Sequence, residues 1–145
     1  MIEIINFSHQ RINKNFLIKI IERVLKKEKE KKKEILLILA GEKRIRLLNK
    51  KYRGENRVTD VLAFPQPKEA LFKNIPEFQS LGEIIICPRR VKENAKKFHT
   101  SFKRELARVL VHGVLHLLGY DHEKNKKGAE KMFKKQEKYL KELFK

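Results

Sequence analysis

V-L-V-H-G-V-L-H-L-L-G-Y-D-H, residues 109–122, is the stretch on which the reading of this chain turns. Its first half is apolar nearly all round, the pattern of a helix buried in a core. His112 and His116 stand four residues apart, so on a helix their side chains stack on one face. Two buried imidazoles need partners, or they cost free energy. Gly119 falls where the helix should stop, because glycine readily takes the left-handed conformation that ends helices. The chain then turns back, and His122 approaches the first two. Three imidazoles around one point suit Zn²⁺ or a similar divalent ion. Three protein ligands leave a coordination position open, as in catalytic rather than structural zinc sites.

The spacing H-x3-H-x2-G-x2-H matches that of metzincin-type proteases. In that motif a Glu general base follows the first histidine, and here the position is Gly113. The ordinary peptidase mechanism is therefore disfavoured. Gly113 reads either as a point of close packing against another backbone element or as space beside a metal for a bulky substrate.

Working outward, apolar periodicity lays out the remaining elements. Residues 1–7 alternate as a strand, and Ile12 to Leu25 repeat at helical spacing before a Lys-rich run at 26–33. Residues 35–40 form a short apolar strand ended by Gly41. Residues 42–52 are helical, with Ile45, Leu48 and Tyr52 on one side. Residues 61–65 are a strand stopped by Pro65 and Pro67, residues 66–80 a loop containing Pro76, and residues 81–87 a fourth strand. Pro88 opens a helix to about residue 98, a position where proline is tolerated. Helices at 101–118 and 126–144 follow, the last with Ala129, Met132, Phe133, Gln136, Leu140 and Leu143 on its apolar face. With no repeat and no flexible linker, four strands and about five helices should share one core. The expectation is a single α+β domain over residues 1–145, a small mixed four-stranded sheet covered by helices.

The chain has 145 residues and a net charge of +18, from 36 Lys and Arg against 18 Asp and Glu. Such an excess points to a polyanionic partner, most often nucleic acid. Heat-adapted surfaces are also rich in charge, but they balance Lys with Glu. The charged runs read as solvated helix faces. No apolar run reaches the length of a membrane span. The first ten residues lack the basic start and long apolar centre of a signal peptide. The single cysteine, Cys87, excludes an intramolecular disulfide and suits a reducing compartment, so a cytoplasmic location is expected.

Only two aspartates occur, Asp60 and Asp121, among sixteen glutamates. Asp121 precedes His122 and is placed to orient a ligand or the nearby loop. Asp60 lies in L-N-K-K-Y-R-G-E-N-R-V-T-D-V-L-A-F-P, residues 48–65, where Arg53 and Arg57 bracket a turn. The arginine fork fits phosphate oxygens.

On these two segments the chain resembles the YbeY family of bacterial endoribonucleases, also called ribosomal RNA maturation factors. The first carries Leu48-Asn49, Tyr52-Arg53, Thr59-Asp60-Val61-Leu62 and Phe64-Pro65, and the second runs from His112 to His122. Gly82-Glu83-Ile84 to Cys87 resembles the family's next strand. Val58, Ala63 and Glu83 replace a usual Pro, Ser and Asp. The resemblance implies an α+β domain with one Zn²⁺ per chain on His112, His116 and His122, and maps the functional arginine onto Arg53. It implies a metal-dependent endoribonuclease acting on single-stranded RNA, in maturation of the 16S rRNA 3′ end and in ribosome quality control. The implied partners are the small ribosomal subunit and its assembly factors. Two alternatives belong to other classes: a metallopeptidase drawing its base from Asp60 or Asp121, and a non-catalytic ribosome-assembly protein with a structural metal.

Overall fold

Runs of β-branched and leucine residues build one mixed sheet from β1 (Ile2–Asn6), β2 (Glu34–Leu39), β3 (Val61–Pro65) and β4 (Ser80–Ile86). The order is β1-β2-β4-β3. β2 runs parallel to β1 and β4, and β3 lies antiparallel to β4 at one edge. The computed structural model describes residues 1–66, 80–121, 123 and 125–145. The loop expected at 66–80 falls almost wholly outside these residues, and so does His122.

Five helices accompany the strands among the described residues: α1 (Lys14–Lys27), α2 (Glu42–Arg53), α3 (Pro88–Lys97), α4 (Phe102–Leu117) and α5 (Lys126–Leu143). The α+β architecture expected from periodicity is the one observed. Helix starts follow local chemistry. Asn13, Ser101 and Asn125 cap α1, α4 and α5 by accepting from the amides of Phe16, Arg104 and Gly128, each cap contributing about 1 kcal/mol.

Side chains alternate across each strand, so the sheet has two differently covered faces. Ile35, Leu37, Leu39, Ala63, Ile84 and Ile86 meet α1 and α4, whose Leu17, Ile21, Leu110, Val111 and Val114 are fully buried. Each such side chain contributes about 1.5–3 kcal/mol by leaving water. The opposite face is a smaller cluster of Ala40, Ile45, Leu62, Ile85 and Cys87, with α2 packed on its edge through Leu48. α1 is thus a core helix through Leu17, Ile20, Ile21, Val24 and Leu25.

Two helix faces depart from the expected pattern. On α5, Met132, Gln136, Tyr139 and Leu140 are buried, whereas Phe133 is exposed. Phe133 is one residue, about 100°, round the helix from Met132 and turns to solvent. On α2, Ile45 and Asn49 are buried while Tyr52 is 58% exposed. The last turn of α2 reaches the edge strand, where the Tyr52 ring meets Phe64 rather than the interior.

Candidate active site

α4 carries both described histidines of the motif on one face, and the helix ends where expected. The amides of Leu118 and Gly119 close back onto its last turn. Gly119 has φ +102°, a backbone that L side chains rarely adopt. Beyond it the chain reverses, and Asp121 accepts a 2.8 Å hydrogen bond on Oδ1 from the Glu123 amide. This is a local turn built by a short carboxylate, which a Glu would reach less readily. Asp121 and Glu123 flank the third expected ligand, His122, in sequence.

His112 and His116 line one cavity of about 170 Å³ together with Arg53, Asp60, Val61, Ala63 and Gly113. The cavity lies between α4, the outer strand β3 and the end of α2. It joins the histidine motif to the arginine segment, which are far apart in sequence. Among the described residues no three His, Cys, Asp or Glu side chains stand close enough to hold a metal. Two of the expected ligands share the cavity, and the third lies outside the described residues. Size alone does not single out this cavity. Larger hollows of about 490 and 450 Å³, one lined by Ile18, Glu22 and Lys31 and the other by Glu28, Tyr120 and Lys131, contain no imidazole.

The His112 ring is held from behind. Its Nδ1 lies 2.9 Å from Oε1 of buried Gln136 on α5. The tautomer that pairs with a carbonyl oxygen carries its proton on Nδ1 and keeps the lone pair on Nε2, the form in which imidazole binds metals. The register that brings Gln136 there is fixed next door. Arg108 reaches Glu137 at 2.6 Å, which ties α4 to α5, and also pairs with Glu105 of its own helix at 3.4 Å. Burial pushes the Glu105 carboxyl above its ordinary value, the Arg108 charge opposes this, and the Asp60 charge adds to it.

Arg53 is the last residue of α2. Gly54 ends the helix in the left-handed conformation, and buried Asn49 donates from Nδ2 to the Arg57 carbonyl at 3.0 Å, pinning the turn that follows. Arg53 turns into the cavity. Its only recorded ion pair among the described residues is a loose one, 3.7 Å to Glu123, with both side chains substantially exposed. Arg57 instead pairs with Glu55 at 2.9 Å on the surface and does not line the cavity. Asp60 lines the cavity, and its carbonyl accepts from the Cys87 amide at 2.9 Å. Cys87 is buried in the smaller cluster, away from the histidines, and burial raises its thiol pKa.

Gly113 packs closely and also lines the cavity. A Cβ there would lie 3.1 Å from Ile84 Cγ2, so α4 approaches β4 closely, against a side chain rather than a backbone element. His9 and His99 are exposed turn residues with φ of 63° and 55°.

A fourth group supports the loop from the far side. Glu28, just past α1, accepts hydrogen bonds from Tyr120 at 2.6 Å, from Lys135 at 2.9 Å and from Tyr139. Burial pushes its carboxyl up, but the three donors and the Lys135 charge outweigh this and hold it below its ordinary value. The basic run at 26–33 is therefore not solvated throughout, since Glu28 is folded inward. Gly128 completes the support. A Cβ at this position of α5 would lie 2.7 Å from the Asp121 carbonyl oxygen.

Comparison with known proteins agrees with the motif reading over nearly the whole chain. The family model described as Endoribonuclease YbeY matches residues 3–144. An endoribonuclease YbeY of Thermotoga maritima is 41% identical over 132 residues, covering 84% of this chain and 82% of that protein. One from a Sulfurihydrogenibium species is 40% identical over 134 residues, covering 92% and 86%. A solution structure of a Thermotoga maritima protein superposes with a TM-score of 0.68 at 38% identity, over 99% of this chain and 89% of that one. Matched along its length by sequence and by fold, the chain belongs to the YbeY endoribonuclease family.

Proposed function

We propose that this protein is a metal-dependent endoribonuclease of single-stranded RNA, acting with the small ribosomal subunit in maturation of the 16S rRNA 3′ end and in ribosome quality control. One observation carries the reading: two imidazoles of one helix and the guanidinium of Arg53 line a single cavity. Imidazoles and an arginine suit a phosphodiester better than a peptide. The net charge of +18 supplies a surface for a phosphate backbone. No helix among the described residues is long and apolar enough to cross a membrane.

The donor set fits zinc. The carbonyl of Gln136 holds His112 in the metal-binding tautomer. His116 lies one turn further along the same face, and Asp121 and Glu123 flank His122 in sequence. These three histidines would hold one Zn²⁺ per chain, which when bound supplies Lewis-acid polarisation and lowers the pKa of bound water to about 7. Arg53 grips the phosphate and stabilises the charge that develops on it. It exchanges its loose pair with Glu123 for a bidentate contact. Asp60 lines the same cavity beside Arg53. A single domain in the cytoplasm fits this work.

The test is metal quantification on purified protein, followed by cleavage of a defined single-stranded RNA with and without chelator. His116→Ala should lose both metal and cleavage. Arg53→Ala should keep the metal and lose about 10²–10³ in rate. Cleavage by a demonstrably metal-free His116→Ala protein would overturn the scheme. Casein digestion by the same preparation would favour the peptidase alternative.

A further inference from the structure

Helix α2 ends in a feature that the core does not explain. Tyr52 is 58% exposed, and its neighbour Arg53 turns into the cavity. The Tyr52 ring sits 5.2 Å from the Phe64 ring at an interplanar angle of 62°, an edge-on contact that fixes its orientation. Phe64 is adjacent in β3 to Ala63, which lines the cavity, and successive strand residues point to opposite faces. The tyrosine and the cavity thus lie on the two sides of one edge strand. The helix bearing them has six basic residues in twelve and one acid. The Lys51 ammonium lies 5.3 Å from the Tyr52 ring centroid, on a flexible exposed side chain.

We propose that Tyr52 is a stacking platform for an unpaired nucleobase of the RNA strand whose phosphate Arg53 holds. The proposal rests on the reading of the cavity as a single-strand ribonuclease site and adds where a base is bound. An exposed aromatic ring fixed by a second ring is pre-organised, so stacking on it costs little side-chain freedom. A base stacks without regard to its identity, and Lys51 swings from the ring to the strand's phosphate. Duplex RNA keeps its bases stacked within the helix and offers none to the platform. Tyr52 thereby selects single strands, while Arg53 and the lysines of α2 supply charge that single and double strands satisfy alike.

Two probes of equal charge separate stacking from electrostatics: a short oligouridylate, and an abasic ribose–phosphate strand of the same length. Binding to the full chain is followed by fluorescence anisotropy. The parent protein should bind the oligouridylate more tightly. Tyr52→Ala should weaken oligouridylate binding about 5- to 100-fold and leave abasic binding unchanged. The salt dependence should stay the same, since no ion pair is removed. Tyr52→Phe and Tyr52→Trp, which keep the ring, should bind like the parent and exclude misfolding as the cause. Equal preference for bases in Tyr52→Ala and parent, or no preference in the parent, overturns the proposal. A parent that binds through Tyr52 yet cuts no RNA overturns the nuclease reading alone. A parent that cuts RNA while Tyr52→Ala keeps its base preference overturns the stacking platform alone.

Discussion

The loop after α4 is held at its two ends by opposite kinds of electrostatics. At Tyr120 the hydroxyl meets the Glu28 carboxylate, which is shielded from water and also accepts from Lys135 and Tyr139. At Glu123 the carboxylate faces Arg53 at 3.7 Å, and both are open to solvent. A sheltered carboxylate with three donors forms a fixed point, because removing it strands its partners. A long exposed pair is worth at most about 1 kcal/mol, and is lost cheaply when a better anion arrives. The difference teaches where the site is built to stay and where it is built to yield. The loop is anchored where Tyr120 meets Glu28, and the arginine is left exchangeable on the side of the cavity.

The comparison breaks first at Glu28. Glu28→Ala should cost about 2–4 kcal/mol and lower Tm by about 5–12 °C, because it orphans two tyrosine hydroxyls and a partly buried ammonium. Thermal melting of the variant checks this. The pH dependence sharpens it. The folded Glu28 carboxyl lies below its ordinary 4.5, so its contribution is fully present above about pH 4.5 and is lost as pH falls through the depressed folded value. Tyr139, pushed up to about 12 by burial and by Glu28, contributes fully below its ordinary 10 and loses that contribution as pH rises from 10 toward 12. The gap in stability between parent and variant should therefore be widest between pH 5 and 10 and shrink on both sides. A gap independent of pH would mean that Glu28 acts through packing alone.

Gly128 gives a smaller and more selective effect. Alanine in a helix is ordinarily favoured over glycine by about 1 kcal/mol. Here its Cβ would push the Asp121 carbonyl, next in sequence to His122. Gly128→Ala should leave Tm within a few degrees of the parent and weaken zinc binding about 10- to 100-fold, the range for lost ligand support. Metal titration by competition with a chromogenic chelator measures it. Unchanged affinity would show that the loop moves as a unit without disturbing its histidine.

These supports were not equally legible in the sequence. β3, the two α4 histidines and the stop at Gly119 all follow from spacing and local backbone chemistry, so a linear reading finds them. Glu28 does not, because its partners are 92 to 111 residues away and it sits within a run of lysines. A signal was nevertheless present. An acid at the C-terminal end of a helix opposes the helix dipole and needs a compensating reason to be there. Gln136 left a similar trace as the one polar residue on an apolar stripe. An amide there must find a buried partner, and it finds His112. Tyr52 misleads in the opposite direction. Its spacing from Ile45 and Leu48 assigns it to the core, but periodicity cannot tell how far the sheet beneath a helix extends. Gly128 left no readable trace, because its reason is the carbonyl of another segment.

Glu123 is the smallest test and bears on the yielding end. If its pair with Arg53 is only a placeholder, Glu123→Gln should leave the unfolding free energy unchanged within about 0.5 kcal/mol. It should also strengthen RNA binding about 2- to 5-fold, because a competing anion near the guanidinium is gone. The gain should fade as salt is raised, since screening weakens competitor and substrate alike. A loss of RNA affinity would reverse the assignment. It would mean that Glu123 holds Arg53 in the pose that meets phosphate, and that both ends of the loop are built to stay.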